Sequence, residues 1–278
     1  GSGSAGGIGP DVSFCQLYGF RQGRPGDQAR LGDVVGLTVA TTSWNVGDEE
    51  IDWFGRPSSR HPFIIYNLLR IKNDRIEMIG ESWVKHGFCA LDNSQCTTHC
   101  DVPTGCQTLS PGCTDTYSAS LNASQNGLGP KSEVNPWTGA WSFTGSHADG
   151  GTHSHDPIQH RLQVHDSDLD PSQNPGATYV VESFYNCYDD VNPMNSAAWK
   201  PVSITSGEPG GFWTFGISGS GTMPEIGFGI DAWSGARQTV LAGEVPPVRF
   251  VSPDGRCVLA AKATDLGTGM WHYEYALM

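Results

Sequence analysis

Eight cysteines punctuate the 278-residue chain, and five of them, Cys89, Cys96, Cys100, Cys106 and Cys113, fall in one short stretch rich in Thr, Gly and Pro. An even set crowded in this way reads as disulfides that staple a loop, formed in an oxidising compartment, so we expect a secreted or extracellular protein. A structural zinc site is the alternative. Such sites favour Cys-x-x-Cys knuckles, however, and every spacing here is wider. Cys15, Cys187 and Cys257 complete the set. Spacing alone does not fix the connectivity, because eight cysteines allow about 105 pairings.

Between the cysteines the chain carries the marks of short strands and tight turns. Gly (36) and Pro (18) make up close to a fifth of it, which argues against long helices. Strand signals recur in Val12 to Phe20, Gly36 to Trp44, Phe63 to Ile71, Arg75 to Ile79, Tyr179 to Cys187, Val202 to Thr205, Phe212 to Ile217, Val248 to Val251, Cys257 to Ala263 and Trp271 to Leu277. Asn73-Asp74 joins two of these runs, and both residue types tolerate the positive φ of a hairpin turn. The expected fold is all-β and β-sandwich-like, with a long disulfide-stapled irregular insert at about 92–178. Gly1 to Pro10 reads as a flexible leader and 11–278 as a single β-rich domain.

Charge narrows the partners. A net charge of -13, with only sixteen Lys and Arg, argues against nucleic acid. No apolar run is long enough to span a bilayer as a helix. Gly-x-Ser-x-Gly in strand-to-helix context, a phosphate-binding Gly-x-x-x-x-Gly-Lys loop, His-Glu-x-x-His and Cys-x-x-Cys-His are all missing, so common hydrolase, nucleotide and cytochrome classes gain no support. Asn122-Ala123-Ser124 is a formal glycosylation acceptor.

The most unusual feature is a run of five histidines, His147, His153, His155, His160 and His165, within nineteen residues. They alternate with Asp149, Asp156, Asp166, Asp168 and Asp170. Imidazole and carboxylate together suit a divalent metal such as copper, zinc or calcium. In an extended segment His153 and His155 share one face, as do Asp166, Asp168 and Asp170. The Asp166 to Asp170 stretch resembles the opening of a calcium loop, but Pro171 and Ala177 stand where that loop needs Gly and Glu. A solvated loop whose polar residues make turns is the plainer reading. His86, at a strand end beside Gly87, is placed to face a cleft, and alternation puts Arg161, Gln163 and His165 on one face, where Arg161 can bind an anionic substrate.

The segments Ser82 to Leu91 (SWVKHGFCAL), Tyr117 to Asn135 (YSASLNASQNGLGPKSEVN), Arg161 to Pro171 (RLQVHDSDLDP) and Trp271 to Leu277 (WHYEYAL) resemble a family of exported bacterial proteins of unknown function. The likeness spans most of residues 10–277 and implies export but no activity. In that family the chain continues past the last segment, and the histidines matching His153, His155 and His160 are not part of the pattern, which shifts weight to His86, Arg161 and His165.

Two functions are therefore expected to compete. One is a secreted β protein whose metal site is drawn from His86, His153, His155, His165, Asp166 and Asp168, with Arg161 for substrate, acting on an extracellular polymer. Water on the metal is then the nucleophile, with Asp166 or Asp168 as base. The other is a non-enzymatic filament, surface or adhesion subunit that self-associates through an exposed terminal strand. The first requires His86 and His165 to share an ion.

Overall fold

The computed structural model describes residues 9–97, 99–100, 105–219, 221–240 and 257–278; the expected strand at Val248 to Val251 and most of the expected leader lie outside them. The chain opens with β1 (Val12–Gln22), β2 (Arg30–Leu31), β3 (Val34–Asn45), β4 (Ile51–Asp52), β5 (Phe63–Lys72), β6 (Arg75–Glu81) and β7 (Val84–His86). The irregular insert holds β8 (Thr108–Leu109), β9 (Thr114–Tyr117), β10 (Leu128–Gly129) and β11 (Leu162–His165), with one-turn helices α1 (Ala119–Asn122) and α2 (Asp166–Leu169). Regular structure then returns as β12 (Thr178–Asn186), β13 (Ala197–Ser206), β14 (Thr214–Ile217), β15 (Glu225–Ile226), β16 (Arg237–Val240), β17 (Val258–Gly267) and β18 (Met270–Leu277).

Two sheets build the sandwich. The first runs β1-β3-β11, with β2 and β9 also on β3; the second runs β10-β7-β5-β12-β13-β14, with β6 on β5 and β15 on β13. Their facing sides form the main core: Val12, Phe14, Leu17, Val35, Leu37 and Val39 from one, and Ile64, Tyr66, Leu68, Tyr179, Val181 and Tyr185 from the other. The alternate residues of β5 are buried too. Phe63 and Ile65 pack on Val84, Val134 and Trp141 of the insert side, while Leu69 packs with Val180, Ile230, Trp233, Val258 and Ala260. Cover on both faces explains why β5 reads as a continuous apolar run instead of alternating. The small sheet β16-β17-β18 supplies part of that cover.

The hairpin at Asn73 and Asp74 forms as expected, with φ of 51° and 67° and Lys72 opposite Arg75. Three disulfides form: Cys15–Cys96, Cys89–Cys106 and Cys100–Cys113. All five clustered cysteines are used, and Cys15 ties their loop to β1. Two expectations need correction. Gly9 and Pro10 are not free leader, because Gly9 N donates to Asp48 Oδ1 at 2.6 Å and the Pro10 carbonyl accepts from Val191 N. Asn122 does not present its amide for glycosylation: it is buried, and its Nδ2 donates to the Val39 carbonyl at 2.9 Å. Among the described residues no helix is long and apolar enough to cross a membrane.

Candidate metal centre

Four histidines, His147, His153, His155 and His160, bring one ring nitrogen each to within 4.8 Å of one another, an arrangement able to hold a metal ion. None of them lies in a strand, so hydrogen bonds and stacking do the positioning. His147 starts a short 3-10 turn whose first N–H donates to Glu133 Oε1 at 2.7 Å. His153 and His155, two apart in extended chain, carry their rings to a common side with centroids 4.3 Å apart. Asp156 then turns the chain by accepting from the N–H groups of Ile158 and Gln159. Gln125 Nε2 clamps the same turn through the carbonyls of Asp156 and Gln159.

His160 is the buried member and the most constrained. Its φ of 69° lies in the left-handed region, uncommon for a residue with a Cβ. The ring stacks on Trp83 at 3.7 Å between centroids and 9° between planes, and the His160 carbonyl accepts from Trp83 N. Trp83 also meets His147 edge-on. His160 Nδ1 lies 3.4 Å from the Gln125 carbonyl, which can only accept, so the proton sits on Nδ1 and Nε2 keeps its lone pair. That Nε2 is buried without a hydrogen-bond partner, as is His155 Nε2. Metal-ligating histidines commonly donate the other ring N–H to a carbonyl in this way. Burial first, and then the neighbouring imidazoles, bring His160 down to about 4 and lower His155 as well, so both are neutral and able to ligate near pH 7.

The remaining expected site residues lie elsewhere, each with its own partner. His165 ends β11, exposed, with Nδ1 3.1 Å from Asp33 Oδ2. His86 ends β7 in the other sheet, is buried, and meets His61 at 2.9 Å. The structure does not bring these two together, because β11 pairs with β3 and β7 with β5. Asp166 faces the Arg30 guanidinium at 2.6 and 2.8 Å and accepts from Trp213 Nε1 and Gly210 N. Burial alone would raise its carboxyl, but these donors hold it below the usual range. Asp168 pairs with Arg70 at 2.9 Å. The calcium-like run thus serves three separate contacts, the third being Asp170, which caps Ser172 N. Arg161 is buried, with its guanidinium spent on Asp27 and on the carbonyls of Ala123 and Pro157, which leaves little of it for a substrate. Of the six residues expected to ligate, His153 and His155 join the cluster; His147 and His160, flagged by their density but set aside, complete it.

His61 and His86 form a second, separate pair. His61 Nδ1 lies 2.7 Å from the Ser58 carbonyl and must donate, so His61 Nε2 accepts from His86 Nδ1. Burial chiefly, with added repulsion from nearby cations, takes His61 to about 4 and His86 to about 2. No protein-family model matches the chain, and neither a curated protein nor a solved structure is found to resemble it.

Proposed function

We propose that this is an exported metal-binding protein whose four-imidazole centre takes a zinc or copper ion. The observation that carries the reading is the convergence of His147, His153, His155 and His160, with two buried ring nitrogens that have no hydrogen-bond partner. Four imidazole nitrogen donors suit zinc and copper and disfavour calcium, which prefers oxygen. Tetrahedral zinc would need the nitrogens about 3.3 Å apart at a bond length of ~2.0 Å, so the rings must draw in from the 4.8 Å within which they lie here. Export is supported by the three disulfides. Cleavage of an extracellular polymer needs an open coordination position. Four imidazoles fill a tetrahedral sphere, so binding is the reading put forward.

The test is elemental analysis after loading with zinc or copper and desalting. We expect about one ion per chain, lost in His155→Ala and His160→Ala and kept in His86→Gln and His165→Gln. Retention of the ion by the His155→Ala/His160→Ala double variant overturns the assignment. Visible absorption and electron paramagnetic resonance of the copper form report nitrogen ligation directly.

A second reading, self-association at a surface, is favoured by β18. Trp271, Tyr273, Tyr275 and Leu277 alternate along it and are 52%, 56%, 63% and 65% exposed, while Glu274 and Ala276 face the rest of the molecule. Contiguous apolar surface of this kind marks contact sites. Sedimentation velocity should then show oligomers that Trp271→Ser/Tyr273→Ser abolishes; a monomeric wild-type protein refutes it.

A further inference from the structure

A cavity of about 610 Å³ opens between the Gly55–Pro57 turn, the end of β7 and the segment around Gly127. Its walls contain Arg56 and Lys85 and not one Asp or Glu, in a chain that carries 29 acidic residues. Neither cation joins an ion pair among the described residues. Among the described residues Arg56 donates only to the Asn126 carbonyl. Lys85 is 2% exposed; its ammonium donates to the His86 carbonyl at 2.5 Å and lies over the rings of Phe88 and Tyr117 at 4.7 and 5.5 Å. Lysine is almost never so deeply buried without an anionic partner. Gly127 lies directly against the amine: a Cβ there would sit 3.2 Å from Nζ.

We propose that this cleft binds an organic oxyanion, a carboxylate or sulfate on an apolar body, with Arg56 and Lys85 as the cation pair and Phe88 and Phe143 as walls. A metal ion is excluded by the two cations. Inorganic phosphate would leave the apolar walls and most of a volume typical of small-molecule sites unused. Burial first, and then Arg56, draws the Lys85 ammonium down to about 7, the cost that a bound anion would relieve. Asp115, the acid that most favours the charged amine, is itself buried and pushed up to about 7, so its negative charge is only partly present near neutral pH. His86, in the wall itself, and His61 behind it are neutral and add no charge.

The site stands apart from the metal reading. Its wall nevertheless includes Ala148, Gly151 and Thr152, from the loop that carries His147 and His153. Calorimetric titration of the metal-free and the metal-loaded protein with benzoate, benzenesulfonate and glucuronate, against benzyl alcohol and glucose as uncharged counterparts, tests it. A tetramer of glucuronate distinguishes a polymer unit from a free small molecule. We expect at least one of the anions to bind and its neutral counterpart to bind at least tenfold more weakly. Arg56→Gln, at an exposed position, should weaken binding about tenfold. Gly127→Ala, which keeps both cations but crowds the amine, should weaken it similarly. Equal binding of anion and neutral counterpart, no binding of any anion, or unchanged affinity in Arg56→Gln overturns the proposal, whether or not the protein holds metal.

Discussion

Replacing His61 by Gln removes one of three imidazoles that the fold buries uncharged, and the effect should appear in the pH dependence of stability. In the unfolded chain a histidine titrates near 6.5, whereas burial takes folded His61 to about 4. Between those values the unfolded chain binds a proton that the folded protein refuses. The stability tied to His61 is therefore fully present above about 6.5 and is lost as pH falls towards about 4. Each pH unit in that window costs about 1.4 kcal/mol, so from near neutral to about pH 4.5 the loss is about 2.4 kcal/mol. Asp115 works in the opposite direction: its raised carboxyl lets the folded state hold a proton that the unfolded state has released. The acid response of wild-type protein mixes both terms, and only the difference between wild type and His61→Gln isolates the imidazole. Urea unfolding with disulfides intact, at the two pH values, measures it. The variant should start less stable at neutral pH but lose about 2 kcal/mol less on acidification. Equal losses in the two proteins would refute an uncharged, desolvated His61.

Other consequences can be read at the bench. In the chain-entropy view the Cys15–Cys96 bridge, with a separation of 81, contributes about 4.5 kcal/mol and the Cys100–Cys113 bridge, with a separation of 13, about 3 kcal/mol; paired Cys→Ala variants compared by urea unfolding should keep that order. Asp166→Ala, by stranding Arg30 and two further donors, Trp213 Nε1 and Gly210 N, should cost about 3 kcal/mol and leave the metal content unchanged, which separates a structural carboxylate from a ligand. Trp83→Ala removes the ring on which His160 stacks, and competition with a chelator should show metal affinity falling about tenfold or more, as loss of a supporting contact typically does.

What the sequence made legible was whatever local chemistry decides. The apolar runs of β1, β3, β5 and β12 are long enough for their pattern to register, and Asn73-Asp74 is a turn for reasons contained in two residues. β8 and β10 have two residues each and carry no period at all, while β9 exists because Thr114 to Tyr117 lies along Thr41 to Trp44 of β3. Long-range partners account for the site residues that were misplaced. Asp166 looks like a ligand until Arg30 arrives from 136 residues away, and Asp168 until Arg70 arrives from 98. His86 stood out beside a glycine, but the residue that defines its chemistry is His61, across the Phe63–His86 strand pairing. The density of histidines did point to the right loop. Which four converge depends on the left-handed turn at His160 and on its stack against Trp83, and neither can be read from residue types.

An irregular loop would ordinarily be a poor platform for a metal, since ligands must be held close to their final geometry. Here the loop is fastened at each end of the histidine run. Glu133 holds the N–H of His147, Gln125 spans the turn before His160, and Arg161 reaches back to the Pro157 carbonyl while paired with Asp27. Behind these, Trp141 and Phe143 pack the insert against Phe63 and Ile65, the outer face of β5. The same burial that makes β5 apolar on both sides therefore anchors the segment that precedes the histidines. Hydrogen bonds to backbone groups, not secondary structure, set the ring positions, so changes at Gln125 or Glu133 act on the centre without touching a ligand.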